Sequence, residues 1–150
     1  MKRAKPRKYT KLKALTDLAL RNGGLLRPAD VVEEARDENS PLHSSFIWDD
    51  TEAARLYRLD QAQRLIRSFR FKVEDKEGKS FEVPVFINVS TDRTGDKDFN
   101  PYRLTESVAK IPNLMAVAER DALEQLRGLR DRYGYLTRLG NVWSAIDSHK

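Results

Sequence analysis

Two groups of basic and amide side chains have the chemistry in this sequence that best suits a ligand. The first is a run of seven cations in the first 13 residues, with no acid among them: Lys2, Arg3, Lys5, Arg7, Lys8, Lys11 and Lys13. The second lies on a predicted helix further along: Arg55, Arg58, Gln61 and Arg64. Lysine and arginine neutralise phosphates, whereas arginine and glutamine form paired hydrogen bonds with base edges. Both groups therefore predict a nucleic-acid interface, with DNA as the expected partner.

Helical spacing divides the second group between two sides of its helix. Arg58 and Gln61 are separated by about 60° around the axis, so we expect them to form the base-reading pair. Arg64 lies on another side together with Arg67, where both would serve phosphates or internal acids. The apolar residues of this helix are spread widely around it, which weakens the case for a recognition helix.

The positive charge of the chain is concentrated at its N-terminus. The formal net charge is +5, from 28 lysines and arginines against 23 acidic residues. Beyond residue 13 there are 21 basic and 23 acidic residues, so the rest of the chain has a net charge of −2. We expect residues 1–8 to be a disordered basic arm, and residues 9–150 to form a single domain. The arm suits a nucleic acid or an acidic protein surface, or it is simply a solvated tail.

Catalysis and metal binding find little support in the sequence. Cysteine is absent, which excludes disulfides and cysteine-based zinc sites. We expect His43 to pack near Trp48 rather than to bind a metal. The spacing of Asp92, Asp96 and Asp98 fails the calcium-loop pattern. Nucleotide-binding glycine motifs and catalytic triads are also missing, so we predict a protein that is not an enzyme and has no cofactor.

Three helices are predicted in the first half of the chain, at residues 9–21, 28–35 and 51–69. Apolar residues recur there at three- and four-residue spacing, and Pro28 fits a first helical position because it has no amide proton to leave unsatisfied. We expect Asp49 or Asp50 to cap the third helix. Trp48, just before this cap, is expected to be mostly buried.

A β-hairpin is predicted directly after the third helix. Between residues 69 and 87 the apolar spacing changes to alternation, and residues 74–79 are typical of a turn. Pro84 cannot donate to a ladder, so the second strand should lie at an edge or carry a bulge. Three helices and a hairpin follow the order of a winged helix-turn-helix. The linker before the third helix is longer than that motif's turn, so a plain α+β domain is the alternative.

The last third of the sequence is predicted to be helical. Thr105 is expected to cap a short helix that reaches Lys110, a long helix follows Pro112, and Asn141 is expected to cap a final short helix. The long helix has an apolar seam: Met115, Ala118, Ala122, Leu126, Leu129 and Tyr133. We expect the seam to complete the core, with a helix–helix dimer as the alternative. The predicted fold is thus α+β, with N-terminal helices, a central β-hairpin and a long C-terminal helix.

One ordered string of residues stands out between Arg27 and Arg70. It comprises Pro28-Ala29-Asp30-Val31-Val32, Ala35-Arg36-Asp37, Ser40-Pro41-Leu42-His43, Phe46, Trp48-Asp49-Asp50, Ala53-Ala54, Tyr57-Arg58-Leu59 and Gln61-Ala62. This string resembles a family of small, mostly uncharacterised proteins encoded by phages and prophages, as does the pair Arg132-Tyr133. The resemblance implies a phage-encoded accessory that acts inside a bacterial cell, and it implies no particular activity.

The expected function is DNA binding by a phage-encoded, non-enzymatic accessory protein that uses its basic arm and the Arg/Gln-rich helix. A protein–protein interaction module is the alternative, either a virion or assembly component or an inhibitor of a host machine. A protein partner or a homo-oligomer is therefore also possible. No apolar run approaches the roughly 18 residues needed to span a bilayer, so no membrane partner is expected. The expected location is the bacterial host cytoplasm, with virion association as a variant.

Overall fold

A computed structural model of the protein describes residues 7–48, 51–96 and 100–149. The helices in these ranges are α1 Arg7–Arg21, α2 Pro28–Ala35, α3 Glu52–Arg67, α4 Thr105–Lys110, α5 Pro112–Tyr133 and α6 Gly140–Ser148. The strands are β1 Leu25–Leu26, β2 Arg70–Glu74, β3 Ser80–Pro84, β4 Phe86–Ile87 and β5 Tyr102–Leu104. The predicted α+β fold is confirmed, with its N-terminal helices, central β-hairpin and long C-terminal helix.

Helix α1 begins two residues earlier than predicted, so Arg7 and Lys8 belong to its first turn and not to an arm. Its side facing the core carries Leu15, Leu18 and Ala19, all buried. The helix ends before a glycine pair with φ angles of 68° and 86°, a left-handed conformation that favours glycine. The arm cations Lys2, Arg3 and Lys5 lie outside the described residues.

The linker between α2 and α3 is anchored at both of its ends. Leu42 and Phe46 are buried, and a single 3₁₀ turn spans His43–Ser45. As predicted, His43 packs on Trp48: the two rings are stacked with centroids 5.0 Å apart. Trp48 is mostly buried, as expected, although its ring lies at the edge of the core cluster and keeps some exposure.

The cap of α3 is Thr51 rather than an aspartate. Its hydroxyl oxygen accepts a hydrogen bond from the amide of Ala54 at 3.1 Å, the usual N-cap bond to the third helical residue. The predicted caps Asp49 and Asp50 lie outside the described residues. The helix ends with a 3₁₀-type bond at Ser68, whose amide donates to the carbonyl of Leu65.

The core lies between the first three helices and a small antiparallel sheet. Strand β5 is central in this sheet, with β1 on one side and β4 on the other. Leu26 pairs with Tyr102, and Ile87 pairs with Arg103. The apolar residues with no exposed surface include Leu15, Leu26, Val31, Leu42 and Ile66. Burial of each such side chain stabilises the fold by about 1.5–3 kcal/mol.

The second strand of the predicted hairpin is split in two at Val85. Its amide donates to the carbonyl of Phe69 at 3.0 Å, whereas its carbonyl accepts from the amide of Thr105 at 2.9 Å. The chain therefore leaves β2 and joins β5 within one residue. Pro84, which has no amide proton, is the last residue paired with β2, in agreement with the predicted edge or bulge at this position.

The paired strands β2 and β3 form a two-stranded hairpin that stays largely open to solvent. Its turn contains Gly78 at φ 76°, and the carboxylate of Asp75 accepts from two turn amides at 2.9 and 2.8 Å. A buried face at residues 69, 71 and 73 was expected. Only Phe69 is buried, whereas Phe71 is 41% exposed and Phe81 is 50% exposed. The reason is that these strands pair only with each other within the described residues.

Three expectations for the C-terminal helices were wrong. The seam of α5 does not complete the core, because none of the 22 residues of this helix is buried. Helix α6 begins at Gly140, so Asn141 lies inside its first turn and is not its cap. Helix α4 ends at Lys110 as predicted, but Thr105 is its first residue and the cap position is Leu104. Helix α4 buries Val108, and α6 buries Ile146.

Candidate nucleic-acid interface

Helix α3 has one buried side and one outward side. Its buried residues are Arg58, Leu59, Ala62 and Ile66, which fall within an arc of about 100° around the axis. The opposite side carries a mixture of apolar and charged residues: Ala53, Leu56, Tyr57, Asp60, Arg64 and Arg67. Any partner of this helix therefore meets Arg64 and Arg67 and not Arg58.

Arg58 is the predicted site residue that the structure removes from the surface. It is 6% exposed, and its terminal nitrogen donates to the carbonyl of Ile47 at 3.2 Å. Its guanidinium carbon lies 5.4 Å from the centroid of the Trp48 ring, a cation–π contact. Gln61 accepts from the amide of Ile47 at 3.4 Å. Both side chains thus fasten α3 to the preceding linker, so the expected base-reading pair is bound to the protein's own backbone.

Two other predicted arginines are exposed and form ion pairs within α3. Arg55 makes three hydrogen bonds of 3.0–3.1 Å to the carboxylate of Glu52, and these bonds lower the pKa of Glu52. Arg64 lies 2.6 Å from a carboxylate oxygen of Asp60. Such exposed pairs are weak in water, so both arginines can exchange their carboxylate for another anion.

Two cations of the predicted basic run have described side chains, and both lie on α1 and contact neighbouring residues. The ammonium group of Lys11 donates to the hydroxyl of Ser45 at 2.7 Å, which links α1 to the linker before α3. Lys13 pairs with Asp17 one turn later, at 2.6 Å. The side chains of Arg7 and Lys8 lie outside the described part of the structure. The structure therefore brings none of the described α1 cations into contact with those of α3.

A polar cleft at the end of α3 was not predicted from the sequence. It has a volume of about 460 Å³, and its lining contains two arginines, three amide side chains and a phenol: Gln63, Arg67, Asn88, Arg93, Asn100 and Tyr102. These residues come from α3, from the loop between β4 and β5, and from β5. None of the described lining residues is acidic, so this part of the cleft has the chemistry of an anion site.

Hydrogen bonds to uncharged acceptors hold the two arginines of the cleft in place. The Nε of Arg67 donates to the hydroxyl of Tyr102 at 3.0 Å, and the Nε of Arg93 donates to the side-chain oxygen of Asn88 at 2.6 Å. Asn88 in turn donates to the carbonyl of Pro101 at 2.6 Å. Among the described residues, no ion pair joins a carboxylate to Arg67 or Arg93, and a terminal nitrogen of Arg67 donates to the side-chain oxygen of Gln63 at 3.4 Å.

Charged contacts on either side fasten the loop that carries Arg93. Arg103 makes a bidentate ion pair with Asp92 at 2.5 and 2.9 Å, and these hydrogen bonds raise the pKa of Arg103. The carboxylate of Asp121 on α5 accepts from the hydroxyl and the amide of Ser90 at 2.5 and 2.7 Å. Burial opposes ionisation of Asp121, but the Ser90 bonds and the nearby Arg93 lower its pKa overall. The loop is therefore braced against both β5 and α5.

Sequence reasoning missed this cleft because its members are far apart in the chain. The signal that was present is the density of amide and arginine side chains at Asn88, Arg93 and Asn100, in a loop otherwise assigned to solvent. Only the pairing of β4 with β5 brings that loop to the end of α3.

No family model matches the chain, and no similar curated protein or solved structure was found. In the described ranges, no cluster of acidic and histidine side chains is arranged to hold a metal ion. The helices of the same ranges include none that combines the length and the apolar character needed to cross a bilayer. The topology and the cleft are therefore the features of the protein that bear on its function.

Proposed function

We propose that this protein is a non-enzymatic, phage-encoded DNA-binding accessory protein that acts in the cytoplasm of its bacterial host. The observation that carries the proposal is the topology. Helices α1, α2 and α3 precede the strand pair β4–β5, and β1, between α1 and α2, pairs with β5. This order of elements supports the winged helix-turn-helix expected from the sequence. The resemblance of residues 27–70 to phage and prophage proteins supports the phage origin.

In this topology the wing is the loop between β4 and β5, and the β2–β3 hairpin is an insertion after α3. The polar cleft lies where the end of α3 meets that loop. A DNA backbone passing along α3 would meet Arg64 and Arg67 from the helix and Arg93 from the loop. Arginine in a site whose described lining has no acidic residue suits a phosphate, because its planar donors match the phosphate oxygens.

The proposed contacts divide into three roles. The N-terminal cations Lys2, Arg3 and Lys5 supply electrostatic affinity that does not depend on DNA sequence. Arg67 and Arg93 position the backbone at the cleft. Arg58 and Gln61, which contact the linker, orient α3 and do not themselves touch DNA.

The test is a fluorescence-anisotropy titration of a DNA duplex at two salt concentrations. The R67Q/R93Q variant should lose at least about tenfold in affinity at low salt, because each charged hydrogen bond contributes about 1.5–3 kcal/mol. The slope of log affinity against log salt should fall by about one for each phosphate that the variant no longer neutralises.

The matched control is R21Q/K110Q, which also removes two cations. Arg21 pairs with Glu34 and Lys110 pairs with Glu106, and none of these four residues lines the cleft. An equal loss of affinity in the control would mean that only net charge matters. Absence of wild-type binding at low salt would overturn DNA binding altogether.

A protein–protein interaction module is the second candidate function. It is favoured by the apolar side chains on α5 and on the β2–β3 hairpin, several of which are about 40–50% exposed. Exposed apolar surface of this extent is typical of a binding surface. A virion or assembly component, or an inhibitor of a host machine, would use such a surface and would bind without a steep dependence on salt.

A further inference from the structure

One side of α5 carries large apolar residues that the rest of the described chain leaves open. Met115, Leu126, Leu129 and Tyr133 are 37–45% exposed. Together with the small residues Ala118 and Ala122 they fall within an arc of about 80°. The stripe from residue 115 to residue 133 is therefore about 27 Å long.

The two flanks of this stripe are already occupied. On one flank Asp121 binds Ser90 of the loop that follows β4. On the other flank Arg130 forms an ion pair with Asp147 of α6 at 3.0 Å. An apolar groove between α5 and α6, lined in part by Leu126, Val142 and Ile146, continues the stripe on that side. The open surface is thus a continuous apolar face with a fixed support, and not a frayed helix.

The surface area of the protein is large enough for a substantial interface. The chain exposes 10975 Å². Removing the most that the residues outside the described ranges can expose, about 2,000 Å², leaves about 9,000 Å². A compact monomer of the remaining mass exposes about 7,400 Å². The difference is about twice the ~800 Å² that each partner contributes to a standard interface. The stripe and the open hairpin share this excess, which is large enough to include one interface of standard size.

The charges of α5 indicate which partner fits. Before residue 125, the charged residues that border the stripe are both acidic: Glu119 and Asp121. After residue 125, they are both arginines: Arg130 and Arg132. The helix dipole favours these two arginines, which lie in the last turn, but it does not account for the acids, because the first turn of α5 has none. The division is self-complementary when two copies of α5 lie antiparallel.

The sizes of the apolar residues fit the same arrangement. A two-fold axis near residue 124 sets Met115 opposite Tyr133 of the second copy. It also sets the small Ala118 and Ala122 opposite the large Leu129 and Leu126. In a parallel pair, alanine would meet alanine and leave a gap, and like charges would meet.

We propose that the protein is a homodimer whose interface is the α5 stripe, paired antiparallel about a two-fold axis. Each copy contributes the same surface, as a closed two-fold interface requires. The dimer does not depend on DNA binding. If the protein does bind DNA, the dimer presents two copies of α3 and of the cleft.

The absence of cysteine from the chain permits a direct test of this geometry. M115C and Y133C chains are prepared separately and as a mixture, then oxidised at matched concentration. The mixture should give a disulfide-linked dimer, whereas each variant alone should not, because the axis sets two copies of residue 115 about 27 Å apart. Cross-linking of M115C with itself would indicate a parallel pair and overturn the proposal.

Sedimentation equilibrium of the full chain gives an independent reading. The wild type should have twice the monomer mass of 17.3 kDa. The L129E variant should raise the dimer dissociation constant by at least about 100-fold, because the changed residue occurs twice in the interface. The control F81E changes an equally open apolar residue on the hairpin and should remain a dimer. A wild type that is monomeric throughout, or a dimer lost equally in both variants, would overturn the proposal.

Discussion

Among the predicted site residues, Arg58 has the position that differs most from the one its residue type suggests. An arginine on a helix beside a glutamine suits base recognition, yet this side chain packs on Trp48 and donates to the carbonyl of Ile47. The reason is tertiary: the linker before α3 folds back over that side of the helix, which no periodicity in the helix itself reveals. Arginine type therefore predicts a bond to an acceptor, but not whether that acceptor is DNA or the protein's own backbone.

A structural role for Arg58 predicts a loss of stability on substitution. R58A should lower the free energy of unfolding by about 2–3 kcal/mol, because the substitution removes both a charged hydrogen bond and a cation–π interaction. The measurement is urea denaturation followed by circular dichroism. R55A, three residues earlier on an exposed face, should change stability by less than about 0.5 kcal/mol. A stable R58A variant with reduced DNA affinity would instead assign Arg58 to the interface.

The helices and strands were predicted where local sequence determines them. Apolar spacing and Pro28 located α1, α2 and α3 to within a few residues, and proline and glycine located the ends of α4 and the hairpin turn. The partner change at Val85 could not be predicted, because it depends on β5, which lies 17 or more residues later. The cap at Thr51 was missed because the neighbouring aspartates are equally good cap residues.

The attachment of α5 to the body predicts a pH dependence. The pKa of Asp121 is lowered below its ordinary 3.8 in the folded protein, overall, by its Ser90 bonds. The ionised group therefore contributes stability above about pH 4, and this contribution is lost as the pH falls through the lower, folded-state pKa. D121N should consequently differ from the wild type at pH 6 and differ less near pH 2–3, by thermal unfolding at each pH. S90A should reduce the same difference, and an unchanged difference at acid pH would contradict the assignment.

The whole molecule combines a small core with surfaces that face outward. The core residues come from the segments between Leu15 and Val108, together with Ile146 on α6, whereas α5 and the hairpin remain open. The fold class followed from the order of the elements. The cleft did not, because Arg67, Arg93 and Tyr102 meet only through the pairing of β4 with β5. A site assembled from three segments is recognised only in the tertiary structure, whereas a run of cations is evident from the sequence alone.

The N-terminal cations predict an effect on affinity without an effect on stability. Changing Lys2, Arg3 and Lys5 to glutamine should weaken binding equally for unrelated duplexes and reduce the salt slope by up to about three. The melting temperature should stay within about 2 °C, because these substitutions remove no apolar side chain. A large fall in melting temperature, or a loss confined to one DNA sequence, would contradict this role.

The most direct test of the proposed DNA interface is site-specific photo-cross-linking to a radiolabelled duplex. Because the chain has no cysteine, a photo-reactive group can be attached at one introduced cysteine, with T94C in the loop between β4 and β5 and S144C on α6 as the matched control. Both positions are exposed. We expect T94C to capture the duplex at low salt and S144C not to do so. Capture by S144C alone, or by neither variant under conditions where the chain binds DNA, would contradict a winged-helix interface built on α3 and this loop.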